Sequence, residues 1–125
     1  ASGRYANMRY KRVPILDNGA EVLDILSEKD AVALLAAVYR VLREARRKKQ
    51  RIHLSITSGR KTMAVYSMVA AQLLFASEDK MWHMVSAGRW TPGKAKTMHA
   101  QAGEELHVVP VPVVRWALWC RHPLC

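Results

Sequence analysis

The chain has 125 residues, half of them hydrophobic and 24% charged, which fits one folded domain with a single modest core and excludes a disordered chain. Its formal net charge of +10 predicts attraction to polyanions, without distinguishing nucleic acid, nucleotide or an anionic membrane surface. No apolar run approaches the roughly 20 residues of a membrane span, and the opening ASGRYANMRYKR lacks the apolar core of a secretory signal, so neither a membrane protein nor a secreted one is expected.

Residues 1–11, with Arg4, Arg9 and Lys11, read as a basic N-terminal arm or linker, and the domain is expected to span residues 12–116. A short extended piece, Arg12 to Leu16, runs into the turn signal Asp17-Asn18-Gly19. Ser27, with Asp30 three residues on, has the pattern of a helix N-cap followed by an acidic first turn. Ala31, Leu34, Leu35, Val38, Leu42 and Ala45 then follow helical spacing up to the basic end REARRKKQ, whose cations suit the negative pole of the helix dipole. Ile52, Leu54 and Ile56 alternate with His53, Ser55 and Thr57, the period of a strand. The next helix, from about Arg60 to Phe75, is apolar on most sides, which predicts burial all round. ASEDK turns the chain, Lys80 to Ser86 reads as another strand, and SAGRWTPGKAK as a loop. Residues 105–114 look extended, with Pro110 and Pro112 favouring a sheet edge or an irregular exit. Residues 117–125 form an apolar tail carrying Cys120 and Cys125, which staple nothing large and point to a reducing, cytoplasmic setting. Alternation of strand and helix predicts an α/β fold with a mainly parallel sheet flanked by helices.

The densest chemistry lies at HLSITSGRKTMAVYSM, residues 53–68, where a strand hands over to a helix. In parallel α/β sheets, ligands bind beyond the carboxyl ends of the strands. A helix N-terminus placed there offers unpaired N–H groups and the positive end of a dipole, both suited to phosphate. Gly59 permits close approach of the backbone, and Ser55, Thr57, Ser58 and Thr62 offer hydroxyls to phosphate or ribose oxygens. Arg60 supplies a planar fork and Lys61 a mobile point charge. The dipole disfavours cations on a first turn, so their presence here points to an anion; plain solvation of a common αβ connection is the competing account. GRKT mimics the end of a Walker A loop, G-x-x-x-x-G-K-[ST], but the earlier glycine is missing.

LSITSGRKTM, followed by VAAQLLF, EDKMWHMVS and VPVPVVR, resembles the CRISPR-associated Rossmann-fold (CARF) family. The resemblance is nearest to its ring nuclease branch, whose signature reads S-I-x-G-G-R-K-T-M; Ser58 stands where that branch has glycine. Asp79 to Ser86 is similar to the branch's D-x-L-x-H-V-L-V strand, with His83 at the histidine. The likeness covers roughly residues 12–116 and implies a Rossmann-like domain whose first strand and following loop, half of the family's ligand pocket, are lacking here. An N-terminal portion on another chain would complement it. The resemblance further implies a homodimer that binds a cyclic oligoadenylate, most often the tetra-adenylate, a second messenger of type III CRISPR immunity. Cleavage of that ring by attack of a ribose 2′-OH on the adjacent phosphate needs no metal and no cofactor. Lys61 matches the lysine that contacts the scissile phosphate, Arg60 would clamp, and Ser55, Thr57 and Ser58 would position.

Other side chains keep two readings each. His53 is either a general base or a satisfied structural histidine, and His83, in a strand expected to be buried, reads as structural. Trp90 either stacks an adenine or packs its loop, while Arg89 and Lys94 could reach phosphate. Cys120, His122 and Cys125 lack a fourth zinc ligand, so no metal site is read. Arg43 to Arg51 is a solvated helix end or an RNA contact. Two alternatives to the ring nuclease remain: a non-catalytic sensor that regulates a separate effector, and a general RNA-binding module driven by the net charge.

Overall fold

The structure, a computed structural model, describes residues 6–57, 59–87, 103 and 105–116. Strands β1 (Leu16–Asp17) and β2 (Ala20–Glu21) pair antiparallel around Asn18 and Gly19, whose φ values of 48° and 84° are the two left-handed positions that a tight hairpin turn demands. Arg12 ties to Glu21 at 2.7 Å across this hairpin, and Lys29 to Asp17 at 2.9 Å. Helix α1 (Glu28–Arg47) starts at Ser27, whose hydroxyl accepts from the Asp30 amide at 3.2 Å and donates to the Asp30 carboxylate at 2.8 Å. That reciprocal bonding satisfies donors that a helix start otherwise leaves unpaired.

Strand β3 (His53–Ser55), helix α2 (Lys61–Leu74), strand β4 (Lys80–Ala87) and strand β5 (Glu105–Val111) complete the order. The sheet runs β3-β4-β5 and is mixed, not mainly parallel as alternation suggested: β3 pairs parallel with β4, but β4 pairs antiparallel with β5. Hydrophobic alternation fixes which residues share a face, not the direction of the partner strand. β5 is an edge strand, which accommodates Pro110 opposite Trp82.

The core joins Leu42 of α1, Ile52, Ala70 and Ala71 of α2, Phe75 and Met81 of β4, with Val38, Leu54 and Val111 packed against it. Two adjacent alanines let α1 approach α2 closely. The expectation of burial all round α2 fails: Val65, Val69 and Leu73 are 59%, 37% and 50% exposed. The sheet and the neighbouring helix α1 cover only one side of it. Asp79, fully buried, accepts from the amides of Ile52 at 2.9 Å and Ala76 at 2.7 Å, with Arg46 at 3.7 Å. It knots the end of α1, the start of β3 and the turn into β4. On the opposite face of the sheet the Trp82 indole donates to His53 Nδ1 at 2.9 Å, with the rings stacked.

Candidate functional site

The loop from β3 into α2 is braced before it meets any ligand. Thr57 Oγ1 accepts from the Met84 amide at 2.8 Å and from the Ser55 hydroxyl at 3.1 Å, stitching the loop to β4. Gly59 then turns the chain at φ +99°, and a Cβ there would lie 2.8 Å from Met63 Sδ. Backbone and α2 thus approach as closely as a missing side chain allows.

α2 opens unlike α1. Its N-cap, Arg60, is extended and makes no side-chain capping bond, and its first turn contains no acid. The positive end of the α2 dipole is therefore not neutralised by the chain's own carboxylates in that turn, while exposed Lys61 adds a full charge. Beside it lies a cleft of about 530 Å³. Gly59, Arg60, Lys61 and Ala64 line it from the loop and α2, His83 from β4, and Val109 to Val111 from β5 with Pro112 just beyond it. Cationic on one wall and apolar on the other, it has the make-up of a site for a group that is both charged and flat.

Gly59, Arg60 and Lys61 come together on the cleft; Ser55 and Thr57 serve the loop's own bonding, and Thr62 is exposed in the first turn of α2. Ser58 and Trp90 lie outside the described residues, as do Arg89, Lys94, Cys120, His122 and Cys125. Arg60 is not a free clamp: its guanidinium binds Asp24 at 2.5 Å, and Asp24 also accepts from the Ile25 amide. That partner sits 36 residues upstream, beyond any local spacing rule. His83 is exposed and lines the cleft, where a buried structural role was expected. Its parity with buried Met81 put it on the helix-facing side of β4, but α2 begins only at Lys61 and leaves that end of the strand uncovered. His53 lies on the other face, occupied by Trp82. Among the described residues, no group of three or more His, Cys, Asp or Glu gathers to hold a metal, and no helix is long and apolar enough to cross a membrane.

A cationic helix start beside an apolar cleft in an α/β domain has the chemistry to accept an anion. A family model described as CRISPR-associated protein NE0113 (Cas_NE0113) matches residues 2–120. The chain belongs to that CRISPR-associated family, which ties it to CRISPR antiviral defence. No curated protein and no solved structure matches it.

Proposed function

We propose that the chain is a CARF-like, Rossmann-type domain that acts as a homodimer, binds cyclic tetra-adenylate at the start of α2 and cleaves it without a metal. The single observation that carries this reading is the cleft shared by Gly59, Arg60, Lys61 and His83, in a chain of a CRISPR-associated family. A phosphate at the α2 N-terminus gains the helix dipole and the Lys61 charge together, and an adenine suits the apolar wall of Val109 to Pro112.

Cleavage follows from the chemistry of such a site. The ribose 2′-OH attacks the neighbouring phosphorus and the bond to the 5′ oxygen breaks, leaving a 2′,3′-cyclic phosphate and a 5′-hydroxyl. Negative charge builds on the non-bridging oxygens between these events, so a cation that meets them there lowers the barrier more than it strengthens substrate binding. Lys61 fills that role. Arg60, held by Asp24, is kept in one place and shares its fork between carboxylate and phosphate. The 2′-OH gives up a proton and the leaving oxygen takes one; His83, exposed on the same cleft, has the chemistry to relay both.

Labelled cyclic tetra-adenylate incubated with the protein in excess chelator tests the reading. Linear products are expected, with turnover falling at least about a hundredfold in Lys61→Ala. Tight binding with no turnover would instead leave a non-catalytic sensor. Absence of any preference for the ring over other RNAs would sink both.

A further inference from the structure

A second cationic surface shares no residue with that cleft. Arg40 and Arg47 recur on the face of α1 opposite buried Leu34 and Leu42, with Arg43 flanking them. Together with Glu44 and Lys48 they line an open groove of about 570 Å³. Its one carboxylate is already committed: Glu44 bonds Lys48 at 2.8 Å. That hydrogen bond, followed by the charges of Lys48, Lys11 and Arg40, holds Glu44 below the ordinary carboxylate range. Among the described residues, no carboxylate lies within ion-pair distance of Arg40, Arg43 or Arg47.

Simple solvation of a helix end accounts poorly for this arrangement. The helix dipole favours cations only in the last turn, which covers Arg46 and Arg47. Arg40 and Arg43 lie further in, and like charges three and four residues apart repel and oppose the helix. A face meant only for water would alternate signs. We propose that this face of α1 docks the phosphodiester backbone of duplex nucleic acid. Arg40 to Arg47 spans about 10 Å along the helix axis, and a duplex presents one phosphate charge per about 1.7 Å of its own axis, so the three arginines can engage several phosphates at once. None of the groove's lining residues is aromatic, so the groove itself offers no stacking platform for single-stranded bases. Long cations aimed at phosphate read no bases, which makes the contact independent of sequence.

Fluorescence anisotropy with labelled RNA and DNA duplexes of about 20 base pairs, unrelated in sequence and titrated over a salt series, tests the proposal. Arg40→Gln with Arg43→Gln should weaken binding at least about tenfold at low salt and reduce the log–log salt slope by about 2. Lys61→Gln with Lys80→Gln removes the same charge away from α1 and should change affinity less than about twofold. Equal losses in the two variants would reduce the effect to net charge and overturn the assignment. So would preferential binding to anionic lipid vesicles over either duplex. Lys61→Ala should bind duplex as the wild type does, and the α1 variant should still bind cyclic tetra-adenylate, so this inference and the proposed function fail separately.

Discussion

Asp79 and Gly59 set the geometry of this domain through single atoms. Asp79 is a buried carboxylate whose two oxygens face the Ile52 and Ala76 amides, and both bonds are charge-assisted. Asp79→Ala leaves one buried and one part-buried N–H group unpaired and should lower stability by about 3 kcal/mol. Arg46 contributes far less, because its side chain is 39% exposed and stands 3.7 Å away; Arg46→Gln should cost under about 1 kcal/mol. Urea unfolding of both variants checks the ranking, and equal losses would mean that the ion pair, not the amide bonds, is what matters. At Gly59 two costs compete. An added methyl meets Met63 Sδ, but that side chain is flexible and can move aside, whereas φ +99° stays unfavourable for any residue with a Cβ. Gly59→Ala should therefore cost about 1–2 kcal/mol, and a double-mutant cycle with Met63→Ala should show coupling below about 0.5 kcal/mol. Larger coupling would make steric crowding the reason for the glycine.

The two helices differ in how their starts are finished, and α1 shows what a finished start contributes. The Ser27 hydroxyl, then the Leu26 amide, hold the Asp30 carboxyl below its ordinary range. A carboxylate depressed in the folded state stabilises the fold above its unfolded pKa of about 4 and loses that contribution as the pH falls through the lower, folded value. Ser27→Ala should cost about 1 kcal/mol near neutral pH, and thermal unfolding should show the gap to wild type narrowing as the pH falls below the ordinary aspartate range. A constant gap would mean that the cap acts through Ser27 alone. This cap was legible in the sequence because Ser27 and Asp30 are three residues apart and act locally. So was β3, through the parity of Ile52 and Leu54 against His53 and Ser55. The direction of β5 was not legible, since Val108 to Val111 would alternate alike in either sense. Half of the cleft was hidden for a related reason. Gly59 to Lys61 announce themselves as a string, but Asp24 reaches Arg60 from another segment, and His83 is exposed only because α2 starts where it does.

At the scale of the whole molecule the unsettled surface is α2. Lys61, Val65, Val69 and Leu73 form one row at four-residue spacing, so an exposed apolar stripe begins one turn after the cleft. Apolar side chains on a helix that is otherwise packed against α1 mark a surface meant to be covered. In the proposed homodimer a second copy would cover this stripe, because a two-fold axis matches each row with its own equivalent. If the two helices cross at Val65, the Lys61 side chains stand on either side of the axis, and one cyclic ligand can meet both. Light scattering after gel filtration should then report about 28 kDa, twice the 14.1 kDa of one chain. Val65→Glu should return it to the monomer mass while the chain stays folded, because Val65 is 59% exposed in the single chain, with the thermal midpoint lowered only by the lost association. Affinity for cyclic tetra-adenylate should fall at least about tenfold in the same variant, with Lys61 untouched. A wild-type chain of monomer mass that still bound the ring tightly would detach the stripe from the site and leave α2 to some other partner.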